Sequence, residues 1–255
     1  MGMIRTIARD GLREAGQNRL LWLVAVLLLG TFLLAEFVGA VALTEHRSVQ
    51  AALAGTLLRL GAVFLMALFV VTTLLREQQD RTLDLVLALS QPRSHYVLGK
   101  LATYFLLAVA LAAACALPAG LYAPPDALAR WAVSLACELW LVAAFGLLLA
   151  FTFRQPVAAL AGLGAVYLLS RSTAALVLIV QGSPFRHTGW GHAIVDYGVT
   201  ALAWILPSLH RFTDASWLAH HAGDWAGVGL VLGQTAVYAV LLAAAAAFDL
   251  YRREF

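Results

Sequence analysis

The chain has 255 residues, of which 62% are hydrophobic and only 12% charged, at a mean hydropathy of +0.84. A soluble domain carries about 25% charged residues to cover its surface. Half that supply excludes a soluble enzyme, an extracellular disulfide scaffold and a disordered regulator, and makes lipid the solvent for much of the chain.

The basic residues are arginine except for Lys100, and the net charge is +3. In so apolar a chain this excess marks the cytoplasmic flanks of membrane spans rather than a nucleic-acid partner. Cys115 and Cys137 sit in apolar runs without metal-ligand spacing and read as small buried hydrophobes.

Residues 1–19 come first. Ile4, Ile7, Ala8, Gly11, Leu12 and Ala15 recur at helical spacing, with Arg5, Arg9 and Arg13 in a row on another face. That pattern predicts a short helix in the headgroup plane, its arginines reaching lipid phosphates.

Six apolar stretches then suffice to cross about 30 Å of hydrocarbon. They are Leu20–Leu43, Leu53–Leu75, Val97–Leu121, Arg130–Phe153, Val157–Val180 and Ala226–Phe248. The charged region before the first span and the span itself are too long for a cleaved signal peptide, so the span is expected to be retained. Eleven basic residues fall on the side of the termini and six on the other side or within spans, which puts both termini in the cytoplasm. Ile194–Leu206 is too short to cross and is expected to be a re-entrant or interfacial helix ended by Pro207.

The loop between the second and third spans, residues 76–96, reads REQQDRTLDLVLALSQPRSHY and continues to Gly99-Lys100. Asp80 can cap a helix whose apolar face holds Leu83, Val86 and Leu87, and Pro92 closes it. A helix of that kind needs the bilayer surface or a groove on a cytoplasmic partner to receive its apolar side. The order of Glu77, Asp80, Arg81, Thr82, Leu83, the apolar run, Pro92 and Gly99-Lys100 resembles the first cytoplasmic loop of type-2 ABC exporter permeases. Arg81 stands where that family has glycine. The basic tail, Phe248 to Phe255, is similar to the family's ending.

The resemblance implies an all-α polytopic membrane protein. One domain over 1–255 would hold six transmembrane helices, an N-terminal interfacial helix, a cytoplasmic coupling helix and external re-entrant or interfacial helices before the last span. It implies a permease subunit in a bacterial inner membrane, paired with a second permease copy and driven by a separate cytoplasmic ATP-binding subunit. ATP and magnesium would then sit on that subunit, with no cofactor on this chain, and a periplasmic protein is a further partner. The residues agree on one point: Gly99-Lys100-Leu101 lacks the upstream glycine and following hydroxyl of a phosphate-binding P-loop. A structural membrane anchor of a larger envelope assembly is the alternative.

Four ionisable residues lie within the spans: Glu36, Arg59, Glu138 and Arg171. Charges in hydrocarbon are costly and seek partners. Counted from the predicted span ends, the depths predict two ion pairs, Glu36–Arg59 and Glu138–Arg171. The external segment 181–225 holds four tryptophans and five histidines. His187, His192, His210, His220 and His221 show no H-x-x-x-H spacing and read as interfacial or docking residues, with no metal site. Gly229-x-x-x-Gly233 in the last span is expected to be a packing face, within the subunit or across a dimer. With no histidine inside a drawn span and no G-x-S-x-G elbow, an intramembrane metalloprotease, a haem carrier and a serine hydrolase are set aside.

Overall fold

The computed structural model describes residues 20–41, 46–80, 93–153, 155–182, 190–219 and 224–252. The N-terminal stretch with Arg5, Arg9 and Arg13 lies outside the described residues. So do Arg81, Thr82, Leu83, Val86, Leu87 and Pro92 of the coupling loop.

Among the described residues the chain is helical, with no strand. The long helices are α1 (Leu20–Val41), α2 (His46–Gln79), α3 (Arg93–Ala119), α4 (Pro125–Thr152) and α5 (Pro156–Gly182). After them come α6 (Trp190–Ile205), a 3₁₀ turn (Leu209–Arg211), the short α7 (Ala215–Ala219) and α8 (Trp225–Arg252). Six of these, α1 to α5 and α8, are long and apolar enough to cross a membrane. The all-α polytopic architecture expected from the sequence is the one observed.

The six helices run alternately up and down. One end of the bundle carries Gln79, Arg93, Thr152 and Arg252, and is called the loop end here; the far end carries Val41, His46, Pro125 and Trp225. The helices outrun the apolar stretches. α2 starts at His46 instead of Leu53, and α4 starts at Pro125 instead of Arg130, with proline at its opening position. Proline fits there because the first helical N–H has no partner to lose.

α2 and α4 form the centre, burying Leu58, Met66, Leu74, Leu135, Leu139 and Leu147 completely or nearly so. α8 packs on α4 along Val228, Val231, Thr235, Ala239, Leu242, Ala246 and Leu250, spaced three and four apart as one helix face requires. That spacing puts Gly229 and Gly233 outside the seam. Both are exposed, and a Cβ added to either meets nothing within 4 Å, so the glycine pair is not a packing face within the subunit. α1 leans on α2 and buries only Leu20, Thr31 and Ala35. Their close approach depends on Gly61, where a Cβ would lie 2.2 Å from the Leu27 side chain. Cys115 and Cys137 are buried free thiols.

α6 decides what the external segment is. At about 1.5 Å per residue its 16 residues reach roughly 24 Å, too little to cross. It ends before Pro207, as the sequence predicts. It packs along α5, and its last carbonyl, Ile205 O, accepts from Tyr238 Oη at 3.2 Å. Tyr238 lies thirteen residues into α8, roughly 20 Å from the far end at that rise. α6 runs along the outside of α5 with Tyr197, Trp204 and Ile205 exposed. The chain enters the bundle only at the turn that follows, where Leu209, Phe212 and Thr213 are buried, before climbing back through α7. This is a re-entrant segment.

Candidate functional site

A chain that turns inside hydrocarbon leaves carbonyls and N–H groups without helical partners, and such backbone survives only where protein satisfies it. The turn at 207–214 is satisfied by the charged residues of the spans. Arg171 Nη1 donates to Leu209 O at 2.8 Å and Phe212 O at 3.0 Å, while Arg59 Nη1 donates to Thr213 O at 2.8 Å. Thr213 N donates to Ser134 Oγ at 2.9 Å, and its hydroxyl donates to Glu138 Oε2. Tyr167 Oη donates to Glu138 Oε1 at 2.9 Å, and Arg171 Nη1 lies 3.4 Å from the same oxygen. Glu138 is fully buried among these partners.

Thr213 has φ 42°, the left-handed region that a β-branched residue rarely enters. Such a backbone costs about 1–3 kcal/mol and persists where its surroundings over-determine it. Here the amide, the carbonyl and the hydroxyl are each held by a different side chain. We call this arrangement the knot.

The knot corrects one predicted pair. Glu138 and Arg171 do meet. Glu36 and Arg59 form no ion pair; Arg59 joins Glu138 and Arg171 instead. The cause is the early start of α2. Arg59 lies thirteen residues from His46 and Glu138 thirteen from Pro125, both about 20 Å deep. Glu36 is only five residues from the end of α1, about 8 Å deep. At that level the partners are different: Tyr122 Oη donates to Glu36 Oε1 at 2.7 Å, and Gln50 Nε2 donates to Ala35 O at 3.1 Å. Burial, then the hydrogen bond to Glu36 and its charge, push the Tyr122 phenol up to about 12.

A second polar cluster stands at the loop end, where α2 ends and α3 begins. Glu77 accepts from Lys100 Nζ through Oε1 and from Tyr96 Oη through Oε2 at 2.6 Å. Lys100 is 7% exposed and Glu77 22%. Gln78 Nε2 donates across to Ala150 O at 3.0 Å, tying α2 to α4 at the same level. Asp80, beyond the last helical residue, pairs with Arg76 at 3.6 Å on the surface. Of the predicted coupling residues, then, Glu77 is the foot of a clamp and Asp80 lies exposed beside it.

Sequence reasoning passed over Ser134, Tyr167, Thr213 and Tyr96. Two of them carried a signal. Ser134–Glu138 and Tyr167–Arg171 are each four residues apart, which puts each polar side chain on the face of its charged neighbour. Thr213 carried none, since its role depends on a turn that only the fold creates.

Among the described residues no three His, Cys, Asp or Glu side chains gather as a metal site. His210 sits with its Nδ1 3.5 Å from Thr173 Oγ1, beside the knot. His187, His220 and His221 lie outside the described residues. No protein-family model and no curated protein matches the chain.

Proposed function

We propose that the chain is the membrane permease subunit of an ATP-binding-cassette transporter, coupling ATP hydrolysis on a separate cytoplasmic subunit to export or to work on an external partner. The observation that supports this most is the clamp. The two helices flanking the segment that resembles a coupling loop are fastened to each other by Glu77, Lys100 and Tyr96 immediately before and after it. A push on that loop reaches α2 and α3 together. Glu77 and Arg59 are separated by about five turns at 3.6 residues each, so one face of α2 runs from the clamp to the knot. Displacing α2 along its axis draws Arg59 away from Thr213 O and loosens the turn at 207–214.

On this reading the loop end is cytoplasmic, both termini lie there, and the membrane is a bacterial inner membrane, in keeping with the basic residues on that side. A second permease copy completes the pathway, and ATP and magnesium belong to the motor subunit. The test is affinity purification of the full chain from membranes, followed by ATPase assays with candidate lipids and peptides. The expected result is a co-purifying ATPase whose stimulation is lost when Leu83, Val86 and Leu87 are replaced by serine. No ATPase, with full function after that replacement, overturns the reading; capture of an envelope assembly without an ATPase makes the chain an anchor.

A further inference from the structure

The turn held by the knot carries a titratable group of its own. Arg171 Nη1 donates to Leu209 O and to Phe212 O, so its guanidinium grips the backbone on either side of His210 and Arg211. His210 is half-buried, with Nδ1 3.5 Å from Thr173 Oγ1 on α5. Thr173 is buried, and its hydroxyl already donates to Ser170 O at 3.0 Å. A proton on Nδ1 therefore suits that contact, and Nε2 is the nitrogen left to take up a second one.

The charges that face this ring are positive. α5 is the helix that packs against Leu209–Arg211, and Arg171 is its only charged residue. Arg211 is the next residue along the turn, and Arg59 reaches in from α2 to Thr213 O. The acids nearby are committed elsewhere. Both oxygens of Glu138 on α4 are engaged by Thr213, Tyr167 and Arg171, and Asp214 accepts from Ser216 N at the start of α7. Burial, then Arg211, then Arg171 hold the His210 imidazole below its ordinary pKa. Arg211 and Asp214 are exposed on the same turn, and exposed charges at membrane depth reach for water, which gives protons a way to the ring.

We propose that His210 is a proton-sensitive latch on the turn at 207–214. Neutral, it lies against Thr173 and lets Arg171 hold the turn. Protonated, it adds a cation beside two arginines with no free carboxylate to answer it, and the turn loosens. The sign follows from linkage. With its pKa lowered in the closed turn, His210 contributes fully above the ordinary histidine value of about 6.5, and that contribution falls away as the pH drops below it. The inference needs only the knot, and holds for a permease and for an anchor alike.

The test is hydrogen–deuterium exchange on the full chain in nanodiscs of zwitterionic lipid, without nucleotide or ATPase. The quantity read is the protection of the amides in 207–214, each relative to an unstructured amide at the same pH. Between about pH 7.5 and about pH 5.5 protection should fall about threefold, the scale of a partly exposed charge contact. Over the same range the amides in the middle of α4 should hold theirs. His210→Gln, which carries no titrating proton, should abolish the step. His210→Lys, charged at both pH values, should show the acid level of protection throughout. A wild type without the step, a step that survives His210→Gln, or a lysine variant as protected as the neutral wild type overturns the latch. Because no ATPase enters the assay, its failure leaves the permease reading standing, and loss of that reading leaves this result intact.

Discussion

The knot and the clamp solve opposite problems with similar side chains. In the knot, Arg59 and Arg171 donate mainly to backbone carbonyls of a turn that no helix completes. In the clamp, Lys100 and Tyr96 both donate to the side chain of Glu77, and the helices around them are already complete. The first is a repair of exposed backbone at membrane depth, so its charges are a condition for the fold. The second joins two finished helices, so its charges can be removed with the fold still standing. Buried ionisable groups in a membrane protein thus differ by what they bond to, and the difference can be measured.

The largest effect is expected at Glu138. Glu138→Ala leaves Arg59 and Arg171 buried without their carboxylate and removes the acceptor of both Thr213 and Tyr167. Breaking a buried pair in this way costs about 3–5 kcal/mol. Thermal unfolding of the purified chain should show this as a large drop in midpoint, or as failure to accumulate in the membrane. Glu138→Gln keeps one acceptor oxygen, for either Thr213 or Tyr167, and the volume of the side chain, and should lose less. If alanine and glutamine cost the same, the carboxylate's charge and not the turn it supports is what matters. An unchanged midpoint in both would mean the knot is not a condition for the fold.

A smaller loss of stability, with a larger loss of coupling, is expected at the clamp. Lys100→Met fits the apolar surroundings and leaves Glu77 with Tyr96 Oη and its own 22% exposure. The lost charged hydrogen bond is worth about 1.5–3 kcal/mol. On the permease reading, ATPase stimulation by substrate falls more than the melting midpoint does, because α2 and α3 no longer move together. Glu77→Gln should give the same phenotype. Normal stimulation in both variants would show that the clamp is only packing.

How legible this was depends on the kind of feature. Span number and helical class follow from apolar length, which is a property of the chain alone. The Glu138–Arg171 contact was legible because α4 and α5 both run past their predicted far ends, by five and two residues, which leaves the two side chains within about 3 Å in depth. Glu36–Arg59 was misread because hydropathy ends α2 at Leu53, while the helix continues through Ser48 and Gln50 to His46. Polar residues beyond the hydrocarbon can remain helical, and hydropathy does not register them. The re-entrant dip was legible as a short helix stopped by proline. The residues that satisfy the turn after it were not, because Ser134, Tyr167 and Thr213 are far apart in sequence and meet only when α4 and α5 pack against the turn.

The smallest effect sharpens the comparison from the other side. Tyr122–Glu36 is also a hydrogen bond to a carboxylate between two elements, but Glu36 is exposed and completes no broken backbone. Tyr122→Phe removes one donor and leaves the carboxylate where headgroups and water replace it. Its cost should be about 1 kcal/mol or less, near the lower end for a hydrogen bond. A double-mutant cycle with Glu36→Gln should therefore give a coupling energy close to zero. The same cycle for Thr213→Val with Glu138→Gln should give a clear coupling, since both partners are buried. Equal couplings would mean that burial and backbone repair add nothing to a carboxylate's hydrogen bond here. A difference of the expected sign assigns the knot's strength to the turn it completes, since the chemistry of the bond is shared by both sites.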